Sequence, residues 1–375
     1  MSARFLTVVL ERAFNMRDGF GREIDYMRIS VIDSCNLNCY YCNPCDNNEH
    51  CHALNILSVK EVLCIVRAAT RLGIKHFRLT GGEPLLHPQL DEMVLQIKKI
   101  PGVSSVSLTT NAVLLVQHAK WLKEAGIDSI NVSLDTIDAS EYEHITKKPL
   151  FHKVEHGIDA AIECGIRVKI NVVLTPQTDV VALTRYVAKK GTDIRFIEMM
   201  PVGEGHTNGV EPYKKVIGTL SKLYGEPCRI NTEKTKEINS GNDKRKIPDN
   251  GPAEYYIFPE LGIRVGLIQA IHGKFCDTCN RIRVTADGRL MPCLGSSVTM
   301  DLVPDSCEFT DDLEKDFVIV QALKAAIKAK PGCHNFNDNA VTYTKTTETK
   351  TVETKATELK AAEVNAARNM SRIGG

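Results

Sequence analysis

Six short runs of apolar and β-branched residues recur along the first half of the chain, at 27–32, 76–80, 106–110, 129–134, 168–174 and 194–199, each followed by apolar positions at helical spacing. Strand-then-helix alternation predicts βα units and a parallel sheet, because parallel neighbours need a crossover that packs back onto the sheet. The intervening helices carry their own boundary signals. Ser58 with Glu61 makes a capping box ahead of Val62, Leu63, Ile65 and Val66, and Gly73 supplies the stop. Six units in about 180 residues predict an α/β fold built on an open, partial (βα)6 barrel of the TIM type rather than a closed eight-unit one, with its functional face at the strand C-terminal ends.

The alternation ends near Pro201, and the stretch to Pro252 is richer in Lys, Asn and Gly. Beyond it, 255–258 and 263–268 read as strands, 281–285 and 289–291 as a hairpin turned at Asp287-Gly288, and 313–328 as a helix. From Thr342 to Glu363 the chain becomes a Thr/Lys/Glu-rich near-repeat almost free of large apolar residues, which predicts an exposed helix or disorder. The expected division is an arm over 1–25, the barrel over 26–200, a second region over 201–340, a low-complexity arm over 341–369 and a tail over 370–375.

Composition narrows the classes. The 375 residues are 43% hydrophobic, enough for real cores, and 47 Lys+Arg against 46 Asp+Glu leave a net charge of +1. No global field therefore draws the protein to nucleic acid or to an acidic membrane, and any anion site must be local. The apolar run at 5–10 is broken at once by Glu11 and Arg12, too short for a secretory core or a membrane span, so the expectation is a soluble, unexported, cytoplasmic protein. Thirteen cysteines in a reducing compartment point to metal or redox work rather than disulfides, with Cys64, Cys164, Cys228 and Cys307 expected to be small buried apolar residues.

Two cysteine sets stand out. Cys35, Cys39 and Cys42 follow the first predicted strand in a CxxxCxxC pattern that suits a structural zinc site poorly, whereas three thiolates on an iron-sulfur cluster leave one iron open. Cys45 could add a fourth thiolate. Thr80-Gly81-Gly82-Glu83-Pro84 ends the second predicted strand, where two glycines let a ligand approach the backbone and the acid can receive an ammonium group. Downstream, Cys276, Cys279 and Cys293 make another three-thiolate set, read either as a second cluster or as a zinc ribbon completed by Cys307, Cys333 or His334. Arg281 and Arg283 alternate on a strand, so both guanidiniums share a face suited to a polyphosphate. Arg28, Arg78, Lys169 and Arg195 also lie on predicted strands, where inward cations need an anion or partners such as Glu83, Asp135 or Glu198.

The first cysteine set and the Gly-Gly-Glu-Pro turn together resemble the radical S-adenosylmethionine (SAM) superfamily. In that superfamily the open iron chelates SAM, and the reduced cluster splits it to methionine and a 5'-deoxyadenosyl radical. The runs Tyr26–Ser30, Leu108-Thr-Thr-Asn111, Asn131-Val-Ser-Leu-Asp135, Lys169-Ile-Asn-Val-Val173, Arg195-Phe-Ile-Glu198, Pro201-Val-Gly-Glu-Gly205, Cys276 to Arg283 and the terminal Gly374-Gly375 resemble, in order, the MoaA family of GTP 3',8-cyclases of molybdenum cofactor biosynthesis. The resemblance implies two 4Fe-4S clusters and SAM as cofactors, with Tyr41, Gly82 and its neighbours Gly81 and Glu83, Ser133 and Met200 lining the SAM site. It implies GTP as substrate, contacted by Arg28, Arg78, Thr109, Lys169, Arg195, Arg281, Ile282 and Arg283, with the Cys276, Cys279 and Cys293 cluster holding guanine and the Gly374-Gly375 tail entering the active site. It further implies a downstream cyclic pyranopterin monophosphate synthase of the MoaC type, an electron donor such as flavodoxin or ferredoxin, and a homodimer.

The match has departures. Ser34 stands where the family usually has arginine, Asn43 where it has methionine, His87 where it has arginine and Ala112 where it has glycine. Two other readings stay open on the residues: a peptide-modifying radical SAM enzyme with auxiliary clusters, and a non-enzymatic zinc protein that binds nucleotide.

Overall fold

The protein is described from a computed structural model covering residues 16–42, 55–201, 209–230, 251–296, 299–302, 312–334 and 336. The segments 43–54 and 337–375, with Asn43, Cys45, the low-complexity arm and Gly374-Gly375, lie outside the described residues, as does Cys307.

The six expected strands form, as β1 (Tyr26–Ser30), β2 (His76–Thr80), β3 (Ser105–Thr110), β4 (Ser129–Ser133), β5 (Val168–Leu174) and β6 (Asp193–Glu198), each paired in parallel with the next. The crossovers carry α1 (Val59–Arg71), α2 (Leu90–Lys98), α3 (Leu115–Glu124), α4 (Ala139–Thr146), α5 (Phe151–Glu163) and α6 (Val180–Lys189). The start of α1 is the expected capping box: Glu61 N–H donates to Ser58 Oγ at 3.3 Å and Ser58 N–H to Glu61 Oε2 at 2.8 Å. Its stop is Gly73, whose φ of 86° suits a residue without Cβ.

The second region does not fold apart from the barrel. After a π-helical turn (Tyr213–Ile217), α7 (Gly218–Tyr224) and β7 (Cys228–Ile230), the strands β8 (Glu254–Ile257), β9 (Arg264–Ile268), β10 (Arg281–Val284), β11 (Arg289–Met291) and β12 (Met300–Asp301) join the same sheet. The order is β12-β11-β10-β1-β2-β3-β4-β5-β6-β9-β8-β7. Strand β9 runs parallel to β6, and β10 runs parallel to β1. The barrel wall therefore has eight parallel strands with antiparallel hairpin strands at its two edges. Helix α8 (Asp312–Lys328) lies beside α1, tied by the Arg71–Asp316 ion pair at 2.9 Å.

Strand alternation divides the sheet into two chemically different faces. One face carries Met27, Ile29, Phe77, Leu79, Val106, Leu108, Ile130, Val132, Ile194 and Phe196, all at 0% exposure and packed under the helices. Each such side chain contributes roughly 1.5–3 kcal/mol of burial. The other face carries Tyr26, Arg28, Arg78, Ser107, Thr109, Asn131, Lys169, Asn171, Arg195, Arg281 and Arg283. An interior this polar is built for a ligand, not for packing.

Of the scattered cysteines, Cys64 is buried at 2% as expected, but Cys164 is only half-buried and Cys228 is exposed. Cys228 sits on β7, the last strand at that edge of the sheet among the described residues.

Ala112 follows β3 with φ of 64° at 0% exposure. That left-handed conformation costs an L-residue about 1–2 kcal/mol, which accounts for glycine being usual there. Ala112→Gly is expected to raise stability by about 1 kcal/mol in urea unfolding with an unchanged m-value; a loss of stability would contradict the strain argument.

Candidate active site

Cys35, Cys39 and Cys42 emerge on the loop that leaves β1 at its C-terminal end. The loop is fastened on two sides. Gly82 N–H donates to Ile32 O and Glu83 N–H to Ser34 O, both at 2.8 Å, while Asn38 N–H and Tyr40 N–H reach Thr146 O and Ile145 O at the end of α4 at 3.0 and 3.1 Å. A Cβ on Gly82 would lie 2.3 Å from Ser34 O and 2.4 Å from Asp33 O, so only glycine lets the two backbones come this close. The Gly-Gly-Glu-Pro turn is thus the support on which the first cysteine loop rests.

The three thiols share one environment. Burial pushes each of their pKa values up, that of Cys39 to about 12 with help from Asp135 and the other two thiols. Iron would displace those protons, because thiolate is the ligand. Asn111 Nδ2 stands 3.9 Å from Cys35 Sγ and donates to Asn36 Oδ1 at 2.7 Å. Tyr41, between Cys39 and Cys42, donates its hydroxyl to Asp135 Oδ2 at 2.5 Å, and Asp135 Oδ1 accepts from Val173 N–H at 2.8 Å. Burial lifts the Asp135 carboxyl to about 6.

The expected SAM residues gather at this end of the barrel. Gly81, Gly82 and Glu83 follow β2, Ser133 closes β4 and is exposed, and Met200 follows β6. Glu83 behaves differently from the sequence reading of an ammonium acceptor. It is 1% exposed, and its carboxylate accepts from Thr110 Oγ1 at 2.6 Å, Asn111 N–H at 2.7 Å and Leu85 N–H at 3.0 Å, which makes it a positioning residue for the turn.

The cations line the polar face. Arg283, Arg28 and Arg78 occupy adjacent register positions on β10, β1 and β2, strands spaced about 4.8 Å apart. Burial and then the neighbouring Arg283 and Arg78 push the Arg28 pKa well down, and the buried Arg28 Nε has no hydrogen-bond partner. Arg78 donates to Tyr26 Oη at 2.5 Å and to Thr109 Oγ1 at 3.4 Å. Lys169 lies over the Tyr255 ring at 5.9 Å, and Arg195 Nε donates to Asn171 Oδ1 at 3.0 Å. Arg281 is held down in pKa chiefly by burial, and among the charges that act on it is Arg195, six strands away in the sheet order, so the sheet curls until β6 and β10 face each other. Ile282 turns its side chain to the apolar face at 1% exposure.

The carboxylates offered as alternative partners are committed elsewhere: Glu83 and Asp135 as described, and Glu198 to His272 Nδ1 and to the N–H groups of Ile271 and His272. Asp193 pairs with Arg264. Arg28 Nε and Arg281 Nε stay buried without a hydrogen-bond partner, donors that an anion could satisfy.

The second cysteine set stands at the opposite end. Cys276 and Cys279 precede β10, which runs parallel to β1, and Cys293 follows the antiparallel β11, so all three lie at the N-terminal end of the wall. The strand length alone separates the two thiol sets by on the order of 15 Å, with the arginines between them. Burial raises the Cys279 thiol's pKa, but the charges of Lys330 and Arg281 outweigh it and bring the value below normal. Lys330, 3% exposed, donates to Arg281 O at 2.8 Å and Pro292 O at 2.9 Å, binding the backbone beside Cys279 to that beside Cys293. Arg22 donates to Cys276 O at 2.6 Å, Gly332 O at 3.0 Å and Pro331 O at 2.6 Å.

Among the described residues no three His, Cys, Asp or Glu side chains gather closely enough for a single metal ion. The fit to iron-sulfur clusters rests on donor chemistry: two sets of three soft thiols with a cationic, partly orphaned polar face between them.

Residues 29–182 match the Radical SAM superfamily and 192–336 match Molybdenum Cofactor Synthesis C. A GTP 3',8-cyclase from Clostridium perfringens (strain SM101 / Type A) is 36% identical over 86% of this chain and 95% of its own length, and one from Petrotoga mobilis is 35% identical over 86% and 96%. The chain belongs to the GTP 3',8-cyclase family. In fold it resembles Streptococcus suis SuiB bound to S-adenosylmethionine, with a TM-score of 0.53 at 15% identity over 82% of this chain and 68% of that one.

Two of the departures from that family's usual residues, Ser34 and His87, are absorbed structurally. Ser34 takes part through its carbonyl, which any residue supplies. His87, 2% exposed, donates from Nε2 to Leu57 O at 2.9 Å and accepts Gln89 N–H on Nδ1 at 3.1 Å, a neutral ring that knits the turn after β2 to the start of α1. No local sequence signal gives the roles of Tyr26, Asn171, Tyr255, Lys330 and Arg22. The alternation of arginine with apolar residues at both 26–30 and 281–284 was the available signal that β10 belongs beside β1.

Arg28→Met should raise the unfolding free energy of the ligand-free protein by about 1 kcal/mol, since it replaces a crowded buried cation with apolar volume. Chemical denaturation of the two proteins measures it; a lower stability would mean that Arg28 is already compensated.

Proposed function

We propose that this chain is a radical SAM lyase that converts GTP to (8S)-3',8-cyclo-7,8-dihydroguanosine 5'-triphosphate, the first step of molybdopterin biosynthesis, with SAM and two 4Fe-4S clusters as cofactors. The supporting observation is the row of arginines running between two three-thiol sets at opposite ends of one barrel.

In this reading Cys35, Cys39 and Cys42 hold the cluster at the C-terminal end, beside a SAM site lined by Tyr41, Gly81, Gly82, Ser133 and Met200, with Glu83 fixing the turn. Bound there, the reduced cluster supplies the electron that splits SAM to methionine and the 5'-deoxyadenosyl radical. Cys276, Cys279 and Cys293 would hold the second cluster, which would supply a binding position for the guanine base. Arg28, Arg78, Lys169, Arg195, Arg281 and Arg283, with Thr109 and the Ile282 backbone, hold the triphosphate, each charged contact giving roughly 1.5–3 kcal/mol. Fixing GTP at both ends would present its ribose 3' hydrogen to the SAM side of the barrel and hold guanine C8 close to the same ribose.

The product passes to a cyclic pyranopterin monophosphate synthase of the MoaC type, electrons come from a flavodoxin or ferredoxin, the enzyme is a homodimer, and it works in the cytoplasm. No helix among the described residues is long and apolar enough to cross a membrane.

Cyclisation rearranges GTP without changing its mass. Anaerobic incubation with GTP, SAM and a strong reductant should therefore yield a new chromatographic peak of GTP mass together with 5'-deoxyadenosine, and protein carrying zinc without iron and sulfide would sink the reading. Arg283→Ala should weaken GTP binding about 10–100-fold while SAM cleavage persists. Cys35→Ala should abolish SAM cleavage; cleavage surviving it would mean that the first cluster is misassigned.

A further inference from the structure

The second cysteine set has a fourth thiol beside it. Cys333 is exposed and outside any disulfide, and its neighbours bind the chain to both ligand loops. The His334 backbone N–H donates to the Cys276 thiol. On the other side, Gly295, two residues after Cys293, packs so closely on this segment that a Cβ there would lie 2.9 Å from His334 Cβ.

The segment is held rigidly. Lys330 binds Arg281 O and Pro292 O, Arg22 binds Pro331 O and Gly332 O together with Cys276 O, and His334 Nε2 donates to Ala270 O at 2.7 Å. His334 Nδ1 accepts from Phe336 N–H at 3.4 Å, so both ring nitrogens are taken and the imidazole is no ligand. Cys333 alone in this segment keeps a free soft donor. Its two neighbours set the Cys333 backbone beside these loops, Gly332 through the Arg22 that also binds Cys276 O and His334 through its packing on Gly295.

We propose that Cys333 is an exchangeable fourth ligand of the second cluster, closing its open iron when no nucleotide is bound and yielding that position to the guanine base. This rests on the assignment of Cys276, Cys279 and Cys293 as that cluster's ligands. On exchange the iron–sulfur bond to Cys333 breaks, a bond from iron to a guanine nitrogen or oxygen forms, and the released thiolate takes a proton from solvent; no electron moves. A thiolate is the softer and stronger donor, and it is tethered, so it protects the exposed iron from loss without preventing a nucleotide anchored by arginines from displacing it. The first cysteine set keeps its open iron for SAM, and the two clusters differ in how they rest.

The test compares reconstituted full-length wild type with Cys333→Ser and Cys333→Ala, each with SAM present so that the first cluster is capped identically. After mild ferricyanide oxidation without GTP, electron paramagnetic resonance should show a 3Fe-4S signal several-fold larger in both variants than in the wild type, and GTP should suppress it. By equilibrium dialysis the variants should bind GTP several-fold more tightly. Equal signals, or unchanged GTP affinity, would overturn the proposal. So would loss of half the iron from both variants, which would make Cys333 a permanent ligand. If Cys276→Ser retained the full iron content of two clusters, the failure would lie in the underlying ligand assignment and would take this proposal with it.

Discussion

Three arginines at neighbouring register positions on one face of a parallel sheet repel one another, and Arg283, Arg28 and Arg78 are held in that arrangement with the buried Arg28 Nε lacking a hydrogen-bond partner. Hydrophobic burial on the opposite face sustains the cost. The wall's outer side chains and their helices fix the strand register, and the register fixes the guanidiniums whether or not they suit each other. Such stored repulsion makes sense when the ligand brings the missing charge, so the demand for an anion organises the rest: the polar interior, the glycine at 266 that leaves room for the Arg195 stem and the Tyr255 ring, and the pairing of Asp193 with Arg264 rather than with the row.

The two-ended design follows from strand addition. Inserting β10 parallel to β1 carries Cys276 and Cys279 to the N-terminal end of the barrel, while the loop after β1 carries Cys35, Cys39 and Cys42 to the C-terminal end. A nucleotide held between them is gripped along its length. Lys330 and Arg22 bind the second end together through backbone carbonyls.

How much of this could be read from sequence depended on whether the signal was local. The six βα units, the Ser58 capping box and the Asp287-Gly288 hairpin turn are written in residues a few positions apart, and they appear within a residue or two of where periodicity put them. Cysteine spacing and the shared face of Arg281 and Arg283 are equally local. What was not legible is long-range: that β9 and β10 would extend the barrel wall, that the second thiol set would sit opposite the first, and that Glu83 would spend its carboxylate on Thr110 and Asn111. Cys228 escaped the burial expected of cysteine because strand position, not residue type, decides exposure at a sheet edge.

The most direct test of the anion demand is thermal unfolding of the cluster-loaded protein with inorganic tripolyphosphate, which carries the charge of the nucleotide and none of its base. The account predicts a rise in Tm at low ionic strength that shrinks as salt screens the row and falls away in Arg28→Met. A Tm unmoved by tripolyphosphate at concentrations where GTP raises it would contradict the account.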